Sequence, residues 1–308
     1  MSTRCPGGLA VVVLTFRGRS VVGSCLDALA EQLPTGTPVV VVDNHSGDGT
    51  PELVAELAAR MQWATTLVRS PANRGYGSGM NLGWETAMRD QPESVLLLTH
   101  DTVLKPGAIG FLTRALAGSE KTAMVGPLLL RAGAEDLVWS AGGELTGLGR
   151  HPHHIGQGDA ASQWEGAEPK KVAWLDGAAL LVRVSAAEGL DCPIGRLGPF
   201  REDFFLYWEE VELQSRLADA GWDLQLVAAA VATQHPGLMP PYLAARNRIR
   251  YLATGGHPVG AAAAAAGECA RAVRDGVHPA RRWRARARLT GLRDGWRGGL
   301  DLELAVRR

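Results

Sequence analysis

The chain has 308 residues, enough to bury a full core as one large domain or one and a half. Hydrophobic residues make up 46%, the share of a soluble globular protein, and 32 Lys and Arg balance 32 Asp and Glu, so the total charge calls for neither nucleic acid nor an anionic membrane. The four cysteines, Cys5, Cys25, Cys192 and Cys269, are far apart with no C-x-x-C pair, which suggests neither a disulfide framework nor a zinc site and fits a reducing cytoplasm.

The first apolar run, L9-A-V-V-V-L-T-F16, follows Arg4 as a short signal core would. R17-G-R follows it without a small-residue cleavage site, so a first strand over 10–16 is expected. A helix over about 20–33 then places Val22, Cys25, Leu26, Leu29 and Leu33 on one stripe, as a cover for a sheet requires. Further strands are expected at 38–43, 65–69, 94–99 and 123–130. Continuous apolar strands separated by helices imply a parallel sheet covered on both faces, which binds ligands beyond the carboxyl ends of its strands. Residues 131–171, rich in Gly, His and charge, read as a long loop or hairpin excursion, and H151-P-H-H154 as a surface loop without a defined ligand spacing. The run V172 to R183 returns to the core, and a loop over 189–200 leads into a helix carrying Glu209, Glu210 and Glu212. Beyond about 255 the text is Ala/Arg-rich and helical, and no stretch reaches the ~18–20 apolar residues that span a bilayer.

Three strand ends carry polar residues: Thr15 ends the first, Asp43 the second, and Asp101 follows the fourth. They should project into one crevice. The loop N73-R-G-Y-G-S-G-M-N-L-G83 lacks the full G-x-G-x-x-G spacing and follows the third strand, which rejects a Rossmann cofactor site. Asp101 supplies the hard oxygen that a divalent ion on a diphosphate needs, although an isolated strand-end Asp is equally a turn former. His235, in V231-A-T-Q-H-P-G237, is a further ligand, a phosphate contact or a structural histidine. In the acidic segment, helical spacing sets Glu210 on a stripe with Leu213, Gln214 and Leu217, leaning towards the buried side. Glu212 precedes Arg216 by four residues, an exposed pairing spacing worth only ~0.3–0.5 kcal/mol.

Taken in order, V12-V-L-T-F16, V42-D-N-H-S-G-D-G-T50, N73 to G83, L98-T-H-D101, W174-L-D-G177, F200-R-E-D-F-F-L-Y-W-E-E-V-E-L213 and A245-R-N-R248 resemble glycosyltransferase family 2 over roughly residues 9 to 252. The likeness is strongest to its bacterial rhamnosyltransferase-like members. The resemblance implies an α/β GT-A fold, a Rossmann-like, mostly parallel sheet covered by helices with a C-terminal helical appendage. It divides the chain into a domain at 1–254, with a nucleotide-binding half to about 130 and an acceptor-binding half after it, and an extension at 255–308. It also implies an inverting enzyme that moves a sugar from a UDP- or dTDP-sugar to an acceptor hydroxyl. In that enzyme Thr15, Phe16, Asp43, Asn73, Gly75, Asn81 and His100 hold the nucleotide, and Asp101 with His235 holds Mg²⁺ or Mn²⁺. Glu210 is the general base, and Trp174, Asp176, Gly177, Trp208 and Glu209 face the sugars. Two departures from the family pattern, T99-H-D101 and E209-E-V-E212, keep open a nucleotide-sugar-binding protein with weak or lost catalysis. A sugar nucleotidyltransferase would want a basic glycine loop after the first strand, where only R17-G-R-S20 stands. The acceptor is a saccharide, lipid-linked or a small molecule. The basic run 271–297, with two tryptophans, is either a peripheral contact with the inner face of the membrane or a solvated helix. Oligomeric state is open, a homodimer included.

Overall fold

In the computed structural model, residues 8–190, 198–235 and 237–307 are described; Arg4, Cys5, Cys192, Pro236 and most of the expected 189–200 loop lie outside them. The β-branched runs and amphipathic stripes of the first half give β1 (Leu9–Thr15), α1 (Val22–Ala30), β2 (Pro38–Asp43), α2 (Thr50–Ala58), β3 (Ala64–Arg69), α3 (Tyr76–Ala87) and β4 (Ser94–Thr99). There follow β5 (Thr102–Leu104), α4 (Ala108–Ala117), β6 (Thr122–Arg131), β7 (Ala134–Ser140), β8 (Gly143–Thr146), β9 (His151–His154), β10 (Lys170–Lys171) and β11 (Ala179–Arg183). The rest comprises α5 (Val184–Glu188), α6 (Glu209–Asp219), β12 (Asp223–Gln234), α7 (Pro241–Thr254), α8 (Pro258–Val277), α9 (Arg282–Arg297) and α10 (Leu302–Val306).

The main sheet runs β10-β12-β6-β11-β4-β1-β2-β3, with β5 added to β12 and β7 to β6. β1, β2, β3 and β4 are parallel because each crossover carries a helix, whereas β11 enters antiparallel between β4 and β6. Alternation along β1 sends Val11 and Val13 into the core under α1 and α4, and Val12 and Leu14 into the core under α3 and α6. With both faces covered, the central strands β1, β2 and β4 are apolar along their length, and their polar residues stand at their ends.

The excursion after β6 is ordered. β8 and β9 form a separate antiparallel hairpin, Gly143 opposite His154. The expectation of a surface loop at 151–154 is therefore corrected: the segment is a strand, and His154 packs between the rings of Trp139 and Trp174, 4.8 Å from each centroid. At the far end, α7, α8 and α9 pack together around Ala245, Ile249, Leu252, Ala261, Ala264 and Leu292, a core shared with Trp208 and Val211 of the α6 region. Among the described residues no helix is long and apolar enough to cross a membrane.

Candidate active site

At the carboxyl ends of β1 and β2, Thr15 and Asp43 are register partners, and Asn44 N donates to Thr15 O at 2.8 Å. One Asp43 oxygen accepts from Ser46 N at 3.1 Å, while the other and the Thr15 hydroxyl are buried without a partner. Leaving such groups unmade costs roughly 1–3 kcal/mol each, which marks a place built to meet something else. A Cβ on Gly18 would crowd both the Thr15 hydroxyl and the His100 ring, so these three converge. His100 Nδ1 lies 3.2 Å from Leu14 O. Phe16, half-buried just past β1, has the Arg17 guanidinium 5.2 Å from its ring centre.

The 73–81 loop is shaped from within. Asn73 Oδ1 accepts from Asn44 Nδ2 and Gly75 N, each at 3.0 Å. Gly75 has φ +91°, and a Cβ there would collide with Phe205 O, the acceptor for Tyr76 N at 2.7 Å. Asn81 is fully buried, donating to Phe200 O at 2.8 Å and accepting from Phe200 N at 3.0 Å. The Asn73 and Asn81 side chains thus set backbone geometry.

Asp101 is half-buried in the two-residue turn between β4 and β5. β5 pairs antiparallel with β12, Leu104 with Ala232, Val103 with Thr233 and Thr102 with Gln234, and Asp101 and exposed His235 each adjoin the last of these pairs in the chain. No group of three or more His, Cys, Asp or Glu is arranged to enclose a metal ion among the described residues. A Mg²⁺ or Mn²⁺ carried by a diphosphate needs no such cage, because one or two carboxylates, waters and phosphate oxygens complete its shell. The Asp101 carboxylate and the His235 imidazole are donors that such a shell admits.

Beside this turn opens a cavity of about 390 Å³, within the ordinary range for small-molecule sites. Thr99, two residues before Asp101, lines it, as do Asp176, Gly177, Glu209 and Glu210. The two glutamates reach it because the chain turns sharply before α6: Phe205, Tyr207 and Trp208 all have positive φ, and the helix then starts at Glu209. Acids in that first turn are favoured by the helix dipole, but here Glu209 is also buried and Glu210 half-buried. Burial, and then the charge of Asp176, push the Glu210 carboxyl up to about 7. Burial followed by repulsion from Glu210 also raises Glu209 well above the usual carboxylate range, and its Oε2 is buried with no partner. Asp176 is raised by burial, with Asp101 adding to it, while it accepts from Trp139 Nε1 at 3.1 Å and Ala178 N at 3.0 Å. Asp101, Asp176, Glu210 and Glu209 therefore form a row in which each acid feels the next. A cation at the Asp101 end would relieve that repulsion.

Trp174 and Trp208 both line the cavity while buried: Trp174 Nε1 donates to Glu144 O at 3.2 Å, and the Trp208 ring lies 5.1 Å from that of Tyr251. Glu212 differs from the exposed pair expected of it. It is only 6% exposed, accepts two bonds from Arg216 at 2.9 and 3.0 Å, and has Arg201 at 3.9 Å, because the 200–203 segment folds over that side of α6. Sequence reading gave no role to several residues of the cavity wall, Tyr76, Gln234, Trp139 and His154 among them. Tyr76, whose hydroxyl donates to Gly177 O at 2.7 Å, lay inside a quoted motif without a role; Gln234 stood next to His235; Trp139 and His154 carried no usable signal.

Residues 10–157 match Glycosyl transferase family 2. A protein of Mycobacterium tuberculosis named N-acetylglucosaminyl-diphospho-decaprenol L-rhamnosyltransferase is 28% identical over 267 residues, covering 79% of this chain and 83% of its own. The solved structure of GalNAc-T7 with UDP, GalNAc and Mn²⁺ aligns at TM-score 0.60 and 12% identity over 80% of this chain, which spans 47% of that longer one. The mannosyltransferase PcManGT of Pyrobaculum calidifontis, in complex with GDP-Man and Mn²⁺, aligns at 0.56 and 16% over 93% of this chain and 86% of its own. At such identities the structures speak for the fold alone, which they share.

Proposed function

We propose that the chain is a glycosyltransferase of glycosyl transferase family 2, which its residues 10–157 match, and that it moves a sugar from a nucleoside diphosphate sugar, UDP- or dTDP-linked, to an acceptor hydroxyl with inversion at the anomeric carbon. The observation that carries this reading is Glu210, half-buried at the start of α6 in the same cavity that Thr99 lines next to the Asp101 turn. An acceptor hydroxyl in that cavity gives its proton to Glu210 as its oxygen attacks the anomeric carbon. The bond from that carbon to the diphosphate breaks on the opposite face. A base near pH 7 is suited to this work, and such catalysis contributes about 10²–10⁴-fold.

The buried, unpartnered Thr15 and Asp43 atoms support a nucleoside subsite at the ends of β1 and β2, walled by Phe16 and His100 and shaped by Asn73, Gly75 and Asn81. Asp101, with His235, would hold Mg²⁺ or Mn²⁺, which neutralises charge on the departing diphosphate. Trp174, Asp176, Gly177, Trp208 and Glu209 form the sugar-facing wall. Glu209, its carboxyl raised by burial and by Glu210, turns an Oε2 that has no protein partner towards the sugars. The relative's name points to a saccharide on a lipid diphosphate as the acceptor class and a 6-deoxyhexose as the sugar. The exposed arginines of α9 would then rest on anionic headgroups.

Calorimetry with UDP and dTDP tests the donor half. Mn²⁺ should tighten binding by about tenfold or more in the wild type and by nothing measurable in Asp101→Asn. Equal binding with and without metal in both proteins would remove the metal from the scheme.

A further inference from the structure

The turn that delivers the two glutamates is held from outside itself. Every backbone carbonyl from Asp203 to Tyr207 accepts a hydrogen bond from a distant residue. Arg246 Nη2 donates to Asp203 O at 2.7 Å and its Nη1 to Phe204 O at 3.3 Å. Tyr76 N donates to Phe205 O at 2.7 Å. Asn247 Nδ2 donates to both Leu206 O at 2.8 Å and Tyr207 O at 2.9 Å. Across this span Phe205, Tyr207 and Trp208 have φ of +73°, +68° and +78°, a region that bulky side chains occupy only when their surroundings compel it. Four of these five bonds come from adjacent, fully buried residues of α7, and Arg246 also donates to the Asn247 side chain at 2.6 Å.

α7 is in turn fixed by the C-terminal helices. Gly291 and Gly295 bring α9 so close that a Cβ on either would lie 2.5 Å from Tyr242 O or Arg246 O. The Tyr242 hydroxyl donates to Asp294 at 2.9 Å and accepts from Asp301 N at 2.7 Å, and Arg246 Nε donates to Gly299 O at 2.6 Å.

We infer that Asn247 is a positioning residue for catalysis: braced by the C-terminal helices, it holds the aromatic turn 205–208 in the strained form that aims Glu209 and Glu210 into the cavity. The inference rests on Glu210 being the base. It gives the 258–307 region a part in turnover that a membrane anchor alone would not have.

Asn247→Asp keeps the shape of the side chain while removing both donors and setting an oxygen against two carbonyls. It should lower kcat for transfer on the order of 10- to 100-fold, as a base displaced by about an ångström would. The KM for the nucleotide sugar should stay within about twofold, because the strand-end subsite is untouched. Hydrogen–deuterium exchange should rise in the peptide spanning 203–210 and nowhere else, and Asn247→Ser, with one donor left, should fall between the two proteins in both readouts. If Asn247→Asp fails to fold, the same two measurements on Asn247→Ser decide. Wild-type kcat and exchange at 203–210 would overturn the inference. So would a fall in kcat accompanied by raised exchange throughout the chain, the mark of a merely structural residue. Full turnover in Glu210→Gln would sink the base assignment instead, leaving the exchange result to judge the clamp by itself.

Discussion

Glu210 derives its proposed basicity from two neighbours of different kinds, the apolar wall that desolvates it and the Asp176 carboxylate that repels its charge. A base works when deprotonated, so kcat/KM should climb with pH through about 7 and level off above it. Asp176→Asn removes the negative neighbour and leaves the burial, so the climb should move to lower pH; rates measured from pH 5 to 9 check this, and an unmoved limb would contradict it. Helical spacing alone revealed that Glu210 leans inward. It could not reveal that Glu212 is buried, because the second cation near it, Arg201, comes from a preceding segment whose fold leaves no trace in a four-residue spacing. His154 and Trp139 were unreadable for the same reason: their place in the cavity wall depends on β8–β9 and β7 folding back over the sheet end.

Among the elements, those with an intrinsic signal were legible. β1, β2, β3, β4 and β6 fall within about a residue of their apolar runs, and α6 opens at the acids that its stripe implied. β5 and β10, of three and two residues, have too few positions for any period and exist through pairing with β12. The start of α3 shows what a motif glycine does here, since Gly75 combines a left-handed φ with contact against the turn before α6. Gly75→Ala should cost about 1–3 kcal/mol of stability from backbone strain, read as a lower urea midpoint, and should lower turnover by pushing on Phe205 O. A variant as stable as the wild type would show that the contact does not hold the turn.

For the molecule as a whole, the parallel sheet puts the strand-end polar residues on one rim, while the antiparallel entry of β11 brings Asp176 and Gly177 to that rim from the second half. The sequence suggested an appendage beyond 255, and composition could not say that α9 packs on α7 through two glycines. Arg288 is engaged with Glu268 and Asp275 and Arg293 with Asp294, but Arg282, Arg284, Arg286 and Arg297 are exposed in company with Leu289 and Trp296, 52% and 50% exposed. The proposed headgroup contact predicts co-sedimentation with phosphatidylglycerol vesicles, none with phosphatidylcholine, and release at about 0.5 M salt, where screening falls to a few ångströms. Binding to both lipids or to neither would remove it.

The most direct test of the central claim is the single-turnover rate of sugar transfer in Glu210→Gln, measured alongside its affinity for the donor. The account predicts a fall of at least about 10²-fold in rate with the donor held as tightly as before. Transfer at the wild-type rate would contradict it.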